Sequence, residues 1–141
     1  MENFFDEICS ISKTNLETRI ALETQRTKEY HEKIRKAVYD VYNNILNSNW
    51  KEYVYDCANK GYNKATIFTF NSQTRVENTT IPLVMLFKGP RNDSGYSMGL
   101  EFFDKIECTS LMTLIENEFA PFKIFLTFDK KDFIYNLNII W

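Results

Sequence analysis

Histidine occurs once in this chain, as His31, and cysteine three times, as Cys9, Cys57 and Cys108. No Cys-x-x-Cys pair is present. These residues lack the spacing by which a structural zinc site gathers its nitrogen and sulfur ligands. The odd, scattered cysteines read as free, mostly buried thiols in a reducing compartment. A basic surplus is missing too: 17 Lys and Arg face 19 Asp and Glu, a formal net charge of −2. A protein that grips duplex nucleic acid through many phosphates shows the reverse balance, so only a local basic patch is left for that role. No apolar run approaches the roughly 18 residues that cross a bilayer. The acidic start Met-Glu-Asn-Phe-Phe-Asp-Glu lacks the long apolar stretch of a secretory leader. Neither Gly-Lys-Ser/Thr nor the dinucleotide-binding glycine pattern occurs, which removes the two commonest phosphate cradles.

What the chain has in quantity is aromatic side chains, 12 Phe and 8 Tyr in 141 residues, enough to fill one core. Its clearest pattern lies in residues 122–141. Phe122, Ile124, Leu126 and Phe128 alternate with smaller or polar residues, and so do Phe133, Tyr135, Leu137, Ile139 and Trp141. Alternation of period two predicts two strands with one buried face each. Asp129-Lys130-Lys131-Asp132 supplies the polar connection of a hairpin. The bulky Trp141 predicts an ordered end inside the sheet.

Upstream, Tyr30, Ile34, Ala37, Val38, Val41, Ile45 and Leu46 form a helical stripe. Asn49 followed by Glu52 predicts a capping box that opens a second helix with Trp50, Tyr53, Val54 and Cys57 on its apolar side. Gly61 then suits a left-handed helix end. Residues 65–71 read as a strand, and residues 81–88 as another, apolar on both faces, with Pro82 near its start. Residues 100–103 fit either a short strand or the start of a helix. Thr109 or Ser110 caps a helix bearing Leu111, Leu114, Ile115 and Phe119, which Pro121 ends. The expected fold is therefore α+β. An antiparallel sheet of four to five strands is built from two α-β-β units, roughly 50–88 and 105–141, with helices on one face and a long N-terminal helix ahead. Residues 1–29 form a helical extension and residues 30–141 a single domain.

Candidate chemistry is thin. Residues 89–99, Gly-Pro-Arg-Asn-Asp-Ser-Gly-Tyr-Ser-Met-Gly, invite a ligand-loop reading centred on Arg91 and Asp93, against the plainer reading of a surface loop. His31 stands beside the apolar stripe in Lys28-Glu29-Tyr30-His31-Glu32-Lys33, with no Ser-His-Asp or Cys-His order around it. The sequence predicts no enzyme, no cofactor and no metal. Phe68, Phe70 and Phe125 invite base stacking on a sheet, but the element order is not that of the RNA-binding sheet modules, and core filling explains them better.

The N-terminal helix is the most functional-looking part. A helix over residues 13–47 is roughly 50 Å long at 1.5 Å per residue, more than the small sheet can cover. Leu16, Ile20, Thr27, Tyr30 and Ile34 follow one track, interrupted at Glu23, and are the candidate interface with a second copy or another protein. The competing reading folds this helix back after a break near residues 25–29. Arg26, Lys28, Lys33, Arg35 and Lys36 are the candidate phosphate contacts of an alternative, a nucleic-acid-binding module. The plainer reading makes them a solvated face, with Glu29 paired to Lys33 and Glu32 to Lys36.

Two stretches carry a resemblance. Asn117-Glu118-Phe119-Ala120-Pro121-Phe122-Lys123-Ile124 with the closing Asn138-Ile139-Ile140-Trp141, and Cys57-Ala58-Asn59-Lys60-Gly61 before a strand, resemble small uncharacterised α/β proteins of large DNA viruses and phages. The similarity spans about residues 50–141, and its motifs are packing motifs. A composition rich in Asn, Lys, Ile, Phe and Tyr, all with AT-rich codons, suits such a source. The resemblance implies a virion-associated or host-factor-binding protein in the host cytoplasm or a virion, with a homo-oligomer or a viral or host protein as partner.

Overall fold

A computed structural model of the protein describes residues 2–90 and 99–141. The chain divides into two compact units, Met1–Lys33 and Ile34–Trp141. One helix, α1 (Glu2–Leu46), runs unbroken through that boundary for 45 residues. There is no break near residues 25–29. This follows from the sequence: residues 2–46 contain neither glycine nor proline, so nothing local stops propagation.

The second unit follows as α2 (Trp50–Asn59), β1 (Lys64–Asn71), α3 (Leu83–Lys88), α4 (Leu100–Lys105), α5 (Leu111–Phe119), β2 (Lys123–Asp129) and β3 (Ile134–Ile140). The sheet has three strands, not four or five, in the order β1-β3-β2, with both pairings antiparallel. The missing strand is residues 81–88. Their apolar run fits a buried strand and a buried helix equally, and the helix wins. Pro82 sits at the N-cap in an extended conformation, where its missing N–H costs nothing, and Leu83, Met85, Leu86 and Phe87 are all buried. The first of the two anticipated repeats is thus helix-strand-helix; the second, α5-β2-β3, has the expected form. Residues 100–103 resolve as the start of α4.

β3 is the central strand, and its two faces differ sharply. Leu137 lies opposite Leu126 on one side and Phe68 on the other. Ile139 faces Ile124 and Ala65, and Tyr135 faces Phe128 and Phe70. This inward face joins Ile34, Val38, Val41 and Ile45 of α1 and Leu111, Ile115 and Phe119 of α5 in one core. A β-bulge in β1 between Thr66 and Phe68 keeps Ile67 buried and Phe68 packed against that core. The outward face is polar and laddered. Thr66 Oγ1 donates to Asn138 Oδ1 at 2.8 Å, and Thr69 Oγ1 to Asn136 Oδ1 at 3.0 Å. Asn138 Nδ2 in turn donates to Thr127 Oγ1 at 3.0 Å. These bonds satisfy the side chains across all three strands and fix the register.

Local chemistry explains the ends. The Gly61 N–H donates to the Ala58 carbonyl at 3.0 Å and the Tyr62 N–H to the Cys57 carbonyl at 2.9 Å. That is the Schellman arrangement, and it requires the positive φ of +85° that Gly61 adopts. Asn49 occupies the N-cap of α2, but its side chain makes no capping bond, so the capping box is present in position only. Ser110, not Thr109, caps α5: its Oγ accepts the Thr113 N–H at 3.1 Å while donating to Thr113 Oγ1 at 2.9 Å. Gly89 and Gly99 close the base of the connection from α3 to α4. A Cβ on Gly89 would meet the Gly99 carbonyl oxygen at 2.7 Å, and the Gly99 N–H donates to Lys88 O at 2.9 Å.

Two substitutions test this core. Leu137→Ala removes a fully buried side chain from the centre of the sheet and should cost about 2–5 kcal/mol in urea unfolding. Ser110→Ala should cost only about 1 kcal/mol, the value of one helix cap. A Leu137→Ala loss below that of Ser110→Ala would contradict the assignment of β3 as the structural centre.

Candidate interaction surface

In the first unit the apolar residues stay in solvent. Phe4 is 62% exposed, Phe5 67%, Ile8 48%, Ile11 50% and Leu22 52%. At 100° per residue, Phe4, Ile8, Ile11 and Leu22 fall within a sector of about 60°. Leu16 and Ile20 are exposed as well, but on another side of the helix, about 130° round. Thr27 and Tyr30 are also exposed. Ile34 is not available: it is fully buried in the core of the second unit. Of the five interface residues expected from sequence, four are thus on the surface and one belongs to the fold. Phe4, Phe5, Ile8 and Ile11 stand at helical spacing in the sequence, which fits a short docking helix or an extended arm; neither they nor Leu22 belong to the expected interface track. The signal was there, because a 4-3 spacing joins Phe4, Ile8, Ile11 and Leu22 through positions 15 and 18 with no charged residue.

The five basic candidates separate in the same way. Arg26, Lys28 and Lys33 are exposed on the first unit. Lys36 pairs with Asp40 at 2.9 Å, not with Glu32. Arg35 is half-buried, and its buried Nη1 has no hydrogen-bond partner. The other ion pair on α1 among the described residues, Arg19 with Glu23, is long at 4.0 Å, so these exposed pairs add little stability. His31 is partly buried, with its ring 6.3 Å from that of Tyr30. Of the three aromatics considered for stacking, Phe70 is buried between the rings of Phe87 and Tyr135, Phe68 packs on the core, and only Phe125 lies in the outward register. Arg91 and Asp93, the centre of the anticipated ligand loop, lie outside the described residues.

In the second unit an open cleft of about 420 Å³ is lined by Leu100, Phe103, Asp104, Glu107, Cys108, Thr109, Ser110 and Thr113. Its Ser110 hydroxyl is committed to the cap of α5. The Cys108 thiol is pushed up from its ordinary value by burial, which outweighs the opposing pull of the Arg35 guanidinium. Such a thiol stays protonated near neutral pH and is a poor nucleophile. Tyr42 also titrates above its ordinary range, through burial first and then the charge and hydrogen bond of Glu118. Both groups serve the core. Among the described residues, no group of three or more His, Cys, Asp or Glu side chains could hold a metal ion. Among the described residues, no helix is long and apolar enough to cross a membrane. No family model, curated protein or solved structure matches the chain.

The thiols give a direct check of this surface. Cys9 is exposed on the first unit, Cys57 intermediate and Cys108 buried. A thiol reagent at pH 8 should label Cys9 first and Cys108 only on unfolding; early labelling of Cys108 would contradict its burial. The raised Cys108 pKa also has a sign. The unfolded thiol ionises first as pH rises, so the folded state holds more protons there, and stability falls above about pH 8.5. Cys108→Ala should flatten that fall.

Proposed function

We propose that the protein is a non-enzymatic interaction protein that assembles with a second copy of itself through the exposed part of α1. One observation carries this reading: residues 2–33 form a continuous helix whose large apolar side chains, Phe4, Phe5, Ile8, Ile11, Leu16, Ile20 and Leu22, are all in solvent. An isolated helix gains little in water from propensity alone, and packing of an apolar face is what normally sustains one. Large apolar side chains that share one exposed helix face, as Phe4, Ile8, Ile11 and Leu22 do, mark an interaction site. Taken with the resemblance of residues 50–141 to small α/β proteins of large DNA viruses and phages, the reading is of a virion-associated or host-factor-binding component.

Solution mass tests the assembly. Light scattering on the full chain at micromolar concentration should give at least twice the chain mass. Ile11→Asp should return the chain mass with the thermal unfolding of the core unchanged. A wild-type chain that stays monomeric up to millimolar concentration would overturn the proposal.

A further inference from the structure

We infer that residues 4–28 of α1 pair with the same segment of a second copy in antiparallel orientation, about an axis near residues 16 and 17. This rests on the reading of α1 as the self-association element, and adds its orientation and register.

The seam is defined by spacing. Phe4, Ile8, Ile11, Asn15, Thr18, Leu22 and Gln25 recur at alternating steps of four and three, and none is charged. The next two positions in that series are Glu29 and Glu32, so the seam ends after Gln25. All of these residues are exposed. Two polar residues, Asn15 and Thr18, stand at the middle of the seam. A polar layer in a helical seam costs stability and fixes register.

Charge then decides the orientation. Asp6 and Glu7 lie in the first turns of the helix, and the first lysine or arginine along it is Lys13. The stretch 26–36 holds Arg26, Lys28, Lys33, Arg35 and Lys36 against Glu29 and Glu32. Parallel pairing would set the acidic end beside the acidic end of its partner and the basic stretch beside the basic stretch. Antiparallel pairing about residues 16 and 17 sets Asp6 and Glu7 beside the Arg26 and Lys28 end of the second copy, leaves Lys33, Arg35 and Lys36 beyond the overlap, and places Phe4 opposite Glu29 at the edge of the seam. Aligned about residues 16 and 17, Ile11 meets Leu22 of the second copy and Asn15 meets Thr18, while Ile8 meets the stem of Gln25. Beside the seam, Glu7 then flanks Lys28 of the second copy, and the Phe5 ring lies within reach of the Arg26 guanidinium. Each contact occurs twice, by symmetry. No like charges are brought together at the flanks.

Charge reversal in the full chain, read as a dimer dissociation constant at low ionic strength, tests this. Glu7→Lys and Lys28→Glu should each weaken the dimer about tenfold, because each sets like charges together twice. The double variant E7K/K28E should recover to within about threefold of wild type, since it restores both pairs with the signs exchanged. Helical circular dichroism of each variant checks that the fold is kept. Single variants that leave the dimer unchanged, or weaken it without rescue in the double variant, overturn the antiparallel register. A Lys28→Glu variant that tightens the dimer indicates parallel pairing, where Lys28 would stand beside Lys33 of the second copy. A chain that is monomeric in every variant and in wild type overturns the self-association reading itself.

Discussion

A single helix with an apolar stripe along much of its length must find something to bury that stripe against, and α1 finds it only at its C-terminal end. Ile34, Ala37, Val38, Val41 and Ile45 recur at helical spacing and are all buried in the core of the second unit. Before them, from Phe4 to Tyr30, every large apolar side chain on the helix is exposed. The absence of glycine and proline keeps the backbone helical across that change of environment. The chain is thus obliged to present an apolar helical surface in water, and the functional reading follows from that obligation.

The second unit shows what a satisfied element looks like. The inward face of β3 packs Tyr135, Leu137 and Ile139 against residues from both neighbouring strands, and helices close over them. Its outward face is closed differently, by hydroxyl and amide side chains that bond to one another across the sheet. Three polar side chains of this unit have structural work. Ser110 caps α5, Tyr42 meets Glu118, and Cys108 stays a neutral thiol in the core. The second unit has a buried core of its own, while in the first unit every large apolar side chain from Phe4 to Tyr30 is in solvent.

The legible parts of the fold were those written in a strict period or a specific backbone demand. Period-two alternation marked β2 and β3, and the need for a positive φ marked Gly61. Residues 81–88 were not legible, because an apolar run without alternation satisfies a buried helix and a buried strand alike. What separates them is the surrounding core, which encloses Leu83, Met85, Leu86 and Phe87 on all sides. The strand count fell to three for that reason, and because residues 100–103 open α4 instead of forming a fifth strand. Of the track Leu16, Ile20, Thr27, Tyr30 and Ile34, interrupted at Glu23, the first four residues are exposed and the last is consumed by the core. Side-chain pairing was the least legible level. Lys36 had carboxylates on either side at i±4, Glu32 and Asp40, and sequence spacing does not choose between them.

The central claim is that the first unit is held by a partner and the second by its own core. Amide hydrogen exchange across a dilution series of the full chain measures that directly. The account predicts that protection of residues 2–33 rises with protein concentration, while protection of β1, β3 and α5 stays constant. Protection of residues 2–33 that is the same at every concentration, in a chain that remains monomeric, would contradict it.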